Sequence, residues 1–145
     1  MKVTDCMCGE VCYCKPDTTV AEIAKMMNEN HVGCVPVCDN NKNVVGILTD
    51  RDITLRSTAC CKDSHTTKAS EIMTCNATCC DCNSTVKDAL KQMSQSQIRR
   101  IPVTENGKLV GILTLGDIAK NENIENNLVG QTIECICKCQ EKNAE

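Results

Sequence analysis

The chain contains one decapeptide twice, as VVGILTDRDI at residues 44–53 and as LVGILTLGDI at residues 109–118. A second matching pair precedes the two copies, VPV at residues 35–37 and IPV at residues 101–103. The separation in sequence between matching residues differs by one between the two pairs of segments. The difference falls in the polar loop that joins them, where an insertion disturbs a fold least. Matching segments in the same order indicate a duplicated structure in which both copies fold alike.

Each copy contains an amphipathic helix upstream of the two matching segments. Apolar residues recur at i, i+3, i+4 and i+7, the pattern of one buried helix face. These residues are Val20, Ile23, Ala24 and Met27 in the first copy and Val86, Ala89, Leu90 and Met93 in the second. Thr19 with Glu22, and Thr85 with Asp88, have the spacing of a capping box, which Asp fits less well than Glu.

Two short strands follow each helix, and a second helix opens after them. We predict strands at residues 34–38, 44–49, 100–104 and 109–114. Helices interleaved with strands indicate an α/β (α+β) fold with one small sheet per repeat, in the order β-α-β-β-α. Because a repeat of about 60 residues buries little core alone, we expect the two repeats to pack together.

The repeats divide the chain into four segments. We predict repeat 1 over residues 1–55, a connector over 56–68, repeat 2 over 69–120 and a polar, cysteine-containing tail over 121–145. The connector is rich in Ser, Thr, Asp and Cys and has little periodicity, which is typical of a loop.

The composition excludes several classes of protein. Of the 145 residues 24% are charged, the net charge is −3, and no apolar run reaches the ~20 residues that span a bilayer, so we expect neither a nucleic-acid nor a membrane partner. Fifteen cysteines would suit a disulfide scaffold, but the count is odd and the opening residues MKVTDC are no signal segment. We therefore expect a cytoplasmic protein with reduced thiols.

With the Gly-Ile-Leu-Thr-x-x-Asp segment and the x-Pro-Val strand both duplicated, the chain resembles a tandem pair of CBS domains, the Bateman module, of the stand-alone bacterial or archaeal type. The resemblance covers about residues 1–120. It implies two units packed with pseudo-twofold symmetry and two clefts that bind an adenosine-type nucleotide: AMP, ADP, ATP or S-adenosylmethionine. It further implies a homodimer that requires no cofactor and regulates an unidentified effector protein.

Ribose binding is predicted at Thr49 and Asp52 and at their counterparts Thr114 and Asp117. Each pair ends a strand and opens a helix, where a carboxylate can accept two ribose hydroxyls and nearby amides favour anions. The alternative is that these residues only cap the helix.

Phosphate binding requires positive charge, and the two repeats supply it from different elements. Arg51 stands between Thr49 and Asp52, whereas Gly116 occupies the same position in the second repeat. There, Arg99 and Arg100 before the IPV strand are the candidates, unless they form a solvated pair on a strand edge. The two clefts are therefore predicted to be unequal.

Adenine recognition is implied by the resemblance to come from the backbone before each Pro. The residues concerned are Val32, Gly33 and Cys34 in one cleft and Ile98, Arg99 and Arg100 in the other. Ile, Val and Met must enclose the base, since Tyr13 is the one aromatic residue. The family's Met-Thr at the repeat start supplies a ligand hydroxyl, which Thr74 preserves and Cys8 replaces.

The cysteines suggest an alternative function, a metal- or redox-responsive protein on the same fold. Structural zinc sites use four ligands in paired Cys-x₂₋₄-Cys segments. The candidates for a metal site are Cys8, Cys12, Cys79, Cys82, Cys135, Cys137 and Cys139. No two Cys-x-x-Cys segments have zinc-ribbon spacing, and alternating cysteines on a strand in the tail would also suit a packed face, where Cys behaves as a small hydrophobe.

Catalysis is not expected. We identify no nucleophile–base pair typical of a catalytic site, and we expect no catalytic role for His31 or His65. The sequence therefore predicts a non-catalytic regulatory protein.

Overall fold

The computed structural model describes residues 1–142 and the side chains of residues 1–138. Its strands are β1 (Cys34–Cys38), β2 (Val44–Thr49), β3 (Thr74–Cys75), β4 (Cys80–Asp81), β5 (Arg100–Glu105) and β6 (Lys108–Thr114). Its α-helices are α1 (Val20–Asn30), α2 (Asp50–Asp52), α3 (Ala69–Ile72), α4 (Val86–Ser96), α5 (Leu115–Ala119) and α6 (Asn126–Lys142). A 3₁₀ turn spans Val3–Asp5 and a π-helix spans Ile53–Thr58. No helix in this part of the chain has the length and hydropathy required to cross a membrane.

The chain forms two compact units that exchange their opening segments. The first unit comprises Cys12–Ala77 with Gly107–Leu109, and the second comprises Met1–Val11, Thr78–Asn106 and the chain from Val110 onward. The start of repeat 1 thus belongs to the unit that contains repeat 2, and the start of repeat 2 belongs to the other. Sequence repeats and compact units divide the chain differently because strand pairing joins segments that are distant in sequence.

The first unit contains a sheet in the order β1-β2-β3. β1 and β2 form an antiparallel hairpin in which Cys34 is opposite Thr49, and β3 adds to the far edge with Thr74 opposite Ile47. The strands predicted at residues 34–38 and 44–49 are confirmed. Behind the sheet lies a core that includes Ile23, Val35, Val37, Leu48 and Ile72, each at most 2% exposed.

The second unit repeats this arrangement with the order β4-β5-β6. β4 runs parallel to β5, and Cys8 bridges Ile112 of β6 antiparallel, as Thr74 does Ile47 in the first unit. The prediction of one small sheet per repeat is confirmed, except that β3 and the Cys8 bridge come from the other repeat.

The tail contains a helix. The interpretation of its alternating cysteines as part of a strand is wrong. Helix α6 packs against α4 and α5 and buries Val129, Thr132 and Ile136. Because consecutive helical residues are rotated by about 100°, Cys135 and Cys137 do not share a face. Both are exposed and flank the buried Ile136.

Helix capping follows the sequence closely. Thr19 N–H donates to Glu22 Oε2 (2.9 Å) and Glu22 N–H donates to Thr19 Oγ1 (3.3 Å), which completes the predicted capping box of α1. In α4, Asp88 N–H donates to Thr85 Oγ1 (3.1 Å), and the shorter Asp carboxylate accepts from the Thr85 hydroxyl instead of the backbone (2.7 Å).

The helical stripes are confirmed except at one position. Ala24 of α1 is exposed, whereas its counterpart Leu90 in α4 is buried. α4 also packs against α6, and this contact accounts for the wider buried face of the second-repeat helix.

Candidate functional site

In the first unit, Thr49 and Asp52 cap the helix that follows β2. Thr49 N–H donates to Asp52 Oδ2 (2.9 Å), and Asp52 N–H donates to Thr49 Oγ1 (3.2 Å). The helix begins at Asp50, two residues earlier than the predicted opening at Asp52, because Thr49 is its N-cap. The capping interpretation and the ligand interpretation are therefore compatible, since Asp52 uses one carboxylate oxygen for the cap.

The same geometry recurs in the second unit. Asp117 Oδ2 accepts from Thr114 N–H (3.1 Å) and from the Thr114 hydroxyl (2.7 Å), and Asp117 N–H donates to Thr114 Oγ1 (3.0 Å). Both Asp117 and Thr114 are half-buried. The cap occupies Oδ2 and leaves Oδ1 available to accept a ribose hydroxyl.

Arg56 is a residue of this site that the sequence interpretation missed. Its Nε lies 3.7 Å from Asp52 Oδ1, and its Nη1 donates to the Ile72 carbonyl (3.1 Å) and to Thr74 Oγ1 (3.4 Å). The four-residue spacing from Asp52 is the signal that could have suggested an ion pair on a helix. The contacts with Ile72 and Thr74 cannot be read from local spacing, because they join segments 16 and 18 residues apart.

Asn121 occupies the matching position of the second repeat, and it behaves differently. Its Nδ2 donates to Cys6 Sγ (3.4 Å). Asn121 is shorter than Arg56 and carries no charge. Within the part of the chain that the structure describes, Asp117 therefore has no cationic neighbour equivalent to Arg56.

The predicted phosphate-binding arginines are divided between the units. Arg51 is exposed in the first unit, whereas Arg99 is exposed and Arg100 half-buried in the second. Gly116 carries no side chain at the position of Arg51. The difference in charge between the two copies of the site is thus present in the structure.

The backbone segments before each Pro are held next to the capped helices. Asp50 N–H donates to the Gly33 carbonyl (3.0 Å), and Leu115 N–H donates to the Arg99 carbonyl (3.0 Å). The N–H groups of Val32 and Ile98 donate to the preceding helices. These bonds leave fewer backbone groups for an adenine edge than the sequence suggested.

Cys34 is buried in β1, Ile98 is half-buried, and Arg100 opens β5. Five of the predicted nucleotide residues accordingly lie in the second unit, and the other seven lie in the first. Within the first unit, Thr49, Asp52 and Thr74 are connected through Arg56.

Two glycines bring the Met-Thr segment and its counterpart close to the decapeptide. A Cβ on Gly46 would lie 2.6 Å from Met73 Sδ and 3.0 Å from the Thr74 carbonyl oxygen. In the second unit, a Cβ on Gly111 would lie 2.5 Å from Met7 Sδ. Thr74 and Cys8 thus hold equivalent positions, and the Cys8 thiol approaches the Glu10 carbonyl at 3.5 Å.

Among the residues whose side chains the structure describes, the metal candidates are not assembled into one centre. Within residues 1–138, no three His, Cys, Asp or Glu side chains form a group that could hold a metal ion. Cys8, Cys135 and Cys137 are exposed, Cys12 and Cys79 are half-buried, and Cys82 is buried. The side chain of Cys139 lies outside the described residues.

Several thiols have pKa values above the ordinary value for cysteine. Burial, reinforced by neighbouring Cys38 and Cys12, raises the pKa of Cys14 to about 12. Burial likewise raises the pKa of Cys80 to about 11 and also raises the pKa values of Cys79 and Cys82. Since the thiolate is the reactive form, the raised pKa values disfavour nucleophilic and redox reactions at these four cysteines.

Comparison with known proteins identifies the family. The model of the CBS domain matches residues 3–57 and again residues 69–123. The chain belongs to the CBS domain family. The CBS domain-containing protein YhcV of Bacillus subtilis is 38% identical over 134 residues, which cover 92% of this chain and 94% of YhcV.

Solved structures of CBS proteins share the fold. A crystal structure of Hypoxic Response Protein I with two coordinated zinc ions superposes with a TM-score of 0.78 at 32% identity, covering 83% of this chain and 98% of that one. The protein of that name from Mycobacterium tuberculosis is 33% identical over 129 residues, 89% of this chain and 88% of its own length. The CBS domain pair of MJ0100, in complex with 5′-methylthioadenosine and S-adenosyl-L-methionine, superposes with a TM-score of 0.75 at 26% identity, covering 83% of this chain and 98% of that one.

Proposed function

We propose that this CBS protein is a non-catalytic sensor that binds an adenosine-type ligand through its two Thr-x-x-Asp caps. The observation that carries the proposal is the duplicated cap, Thr49 with Asp52 and Thr114 with Asp117, in which one carboxylate oxygen serves the helix. The second oxygen is suited to a ribose diol, because a carboxylate accepts two hydroxyl hydrogen bonds with high directional selectivity. The ligands bound to MJ0100 are both adenosyl compounds, which supports this ligand class.

The remaining residues have complementary roles in the proposal. Arg51, Arg99 and Arg100 provide positive charge for a phosphate chain, and Thr74 offers a hydroxyl. In the proposal, the adenine edge is recognised by those backbone groups of residues 32–34 and 98–100 that are not engaged by the neighbouring helices. Because the two caps have different cationic neighbours, we expect the two units to bind the adenosine-type ligand with unequal affinities.

Signalling requires a second state. A ligand shifts a conformational equilibrium only by its difference in affinity for the two states. We propose that a second copy of the chain or an effector protein binds the two states with different affinities. Ligand binding then changes the affinity for this partner, and the partner changes the affinity for the ligand by the same factor.

The experiment is calorimetric titration of AMP, ATP and S-adenosylmethionine into wild type and the Asp117→Asn variant. Asp88→Asn is a matched control, since Asp88 caps α4 with almost the same distances to Thr85, 2.7 and 3.1 Å. Both substitutions weaken one helix cap, at a cost of about 1 kcal/mol, so thermal melting should respond similarly.

We expect Asp117→Asn to remove or weaken one binding event by about tenfold or more, and Asp88→Asn to leave binding unchanged. Absence of binding by wild type at about millimolar ligand, a free energy of about −4 kcal/mol, would refute the proposal. Equal losses in the two variants would show that the caps act through stability alone.

A further inference from the structure

Arg56 connects two proposed ligand-binding residues that come from different parts of the chain. It follows Asp52 on the π-helix, and its guanidinium reaches the segment that opens β3, where Nη1 contacts the Ile72 carbonyl and Thr74 Oγ1. π-helical turns are rare and are frequent at functional sites. The side chain is 51% exposed, so a ligand that contacts Asp52 and Thr74 can also reach it.

The guanidinium retains donors for a ligand. Arginine has five N–H groups in a planar fork. The contacts with Ile72, Thr74 and Asp52 engage Nη1 and Nε, and they leave the two N–H groups of Nη2. A fork of this kind is well matched to phosphate oxygens.

Arg56 also changes what its two neighbours can recognise. Its positive charge lies 3.7 Å from the nearest oxygen of Asp52 and offsets the repulsion between that carboxylate and an anionic ligand. Because Thr74 Oγ1 accepts from Arg56, its hydroxyl proton remains to be donated. A donor at this point favours a ligand group that only accepts hydrogen bonds, as phosphate does.

We infer that Arg56 is a specificity-determining residue that makes the Thr49–Asp52 site of the first unit select adenosine ligands with an anionic 5′ group. The inference rests on the proposed function. The Thr114–Asp117 site of the second unit has no equivalent arginine, because Asn121 is neutral and contacts Cys6 instead. Arg56 thus assigns a ligand preference to one of two otherwise similar Thr-x-x-Asp caps.

The test compares AMP with adenosine, which differ by the phosphate alone. Both are titrated calorimetrically into the Asp117→Asn variant, in which we expect binding at the Thr49–Asp52 site of the first unit to dominate, with and without Arg56→Gln. Lys25→Gln is the matched control: Lys25 is also paired at i+4, with Glu29 at 3.9 Å, in the same unit, and its loss removes the same charge. Arg56→Lys tests whether charge alone suffices.

We expect Arg56→Gln to weaken AMP binding by about tenfold or more while adenosine binding changes less than about threefold. Arg56→Lys should retain part of the preference, and Lys25→Gln should retain all of it. Equal losses for AMP and adenosine would show that Arg56 only supports the fold, and an unchanged AMP affinity would show that it does not contact the phosphate; either result overturns the inference.

A measurement without substitution at Arg56 covers the case in which that variant does not fold. The preference of the Asp117→Asn protein for AMP over adenosine should shrink as salt is raised, because a charge–charge contact is screened. No preference, or a salt-independent one, refutes the role of Arg56 and leaves the proposed function intact. If wild type binds neither ligand, both proposals fail.

Discussion

Replacing Gly46 with alanine should destabilise the protein by steric pressure on β3. The added Cβ would lie 2.6 Å from Met73 Sδ, 3.1 Å from Met73 Cγ and 3.0 Å from the Thr74 carbonyl oxygen. Met73 can rotate, but the carbonyl belongs to a strand that pairs with β2 at Ile47 and cannot move alone. The backbone of Gly46 is not left-handed, so the penalty is overpacking and not conformational strain.

Overpacking of this kind costs about 1–3 kcal/mol, which for a chain of this size lowers the melting temperature by about 3–10 °C. Thermal and urea denaturation followed by circular dichroism measure it. Gly130→Ala is the control: outside its chain neighbours and its own helix backbone, no atom lies within 4 Å of the added Cβ, and alanine favours helix, so stability should rise by about 0.5–1 kcal/mol. Adding Met73→Ala to Gly46→Ala should recover part of the loss.

If Gly46→Ala is as stable as wild type, β3 is not held as closely to β2 as the structure indicates. The same change at Gly111, where the Cys8 carbonyl oxygen would lie 2.9 Å away, should then also be tolerated. A loss at one glycine and not at the other would contradict the equivalence of the two units.

Two further predictions concern thiol reactivity and pH. A brief iodoacetamide treatment at pH 8, read by mass spectrometry, should leave Cys14 and Cys80 unmodified because their pKa values are about 12 and about 11, and modification at rates like those of exposed cysteines would contradict their burial. The cysteines expected to react are Cys8, Cys60, Cys61, Cys75, Cys135 and Cys137. Hydrogen bonds from Asn43 hold the pKa of Asp39 below its ordinary 3.8, so its stabilising contribution is present above that pH and is lost as pH falls through the lowered value. The amide signals of Asn41 and Asn43 in an NMR pH titration report this, and a midpoint at or above 3.8 would disprove it.

The elements that depend on local patterns were predictable. Thr19 and Thr85 mark helix starts because an N-cap acts within one turn, and the structure contains both caps. Strands β1 and β2 match their predicted bounds because β-branched residues flank a polar turn. The α6 helix was not predicted even though Val129, Thr132 and Ile136 have helical spacing, since alternating cysteines are also compatible with a strand.

The candidate site was predictable only in part. The pairs Thr49 with Asp52 and Thr114 with Asp117 follow from the repeat, and the structure shows both pairs hydrogen-bonded. Arg56 could not be recognised as their partner, because its role depends on Thr74, 18 residues further along, and not on any neighbour in sequence.

The amino-acid sequence alone was sufficient to establish the duplicated α/β architecture and the family, because a repeat and its periodicities are local properties that survive without a structure. The tertiary structure was needed to show that Met1–Val11 and the β3 segment each pack with the opposite repeat, and that Arg56 thereby meets Thr74. The physical reason is that strand addition and long side-chain contacts are chosen by packing across the whole chain. Two sequences with the same repeats can therefore make different contacts at the candidate site.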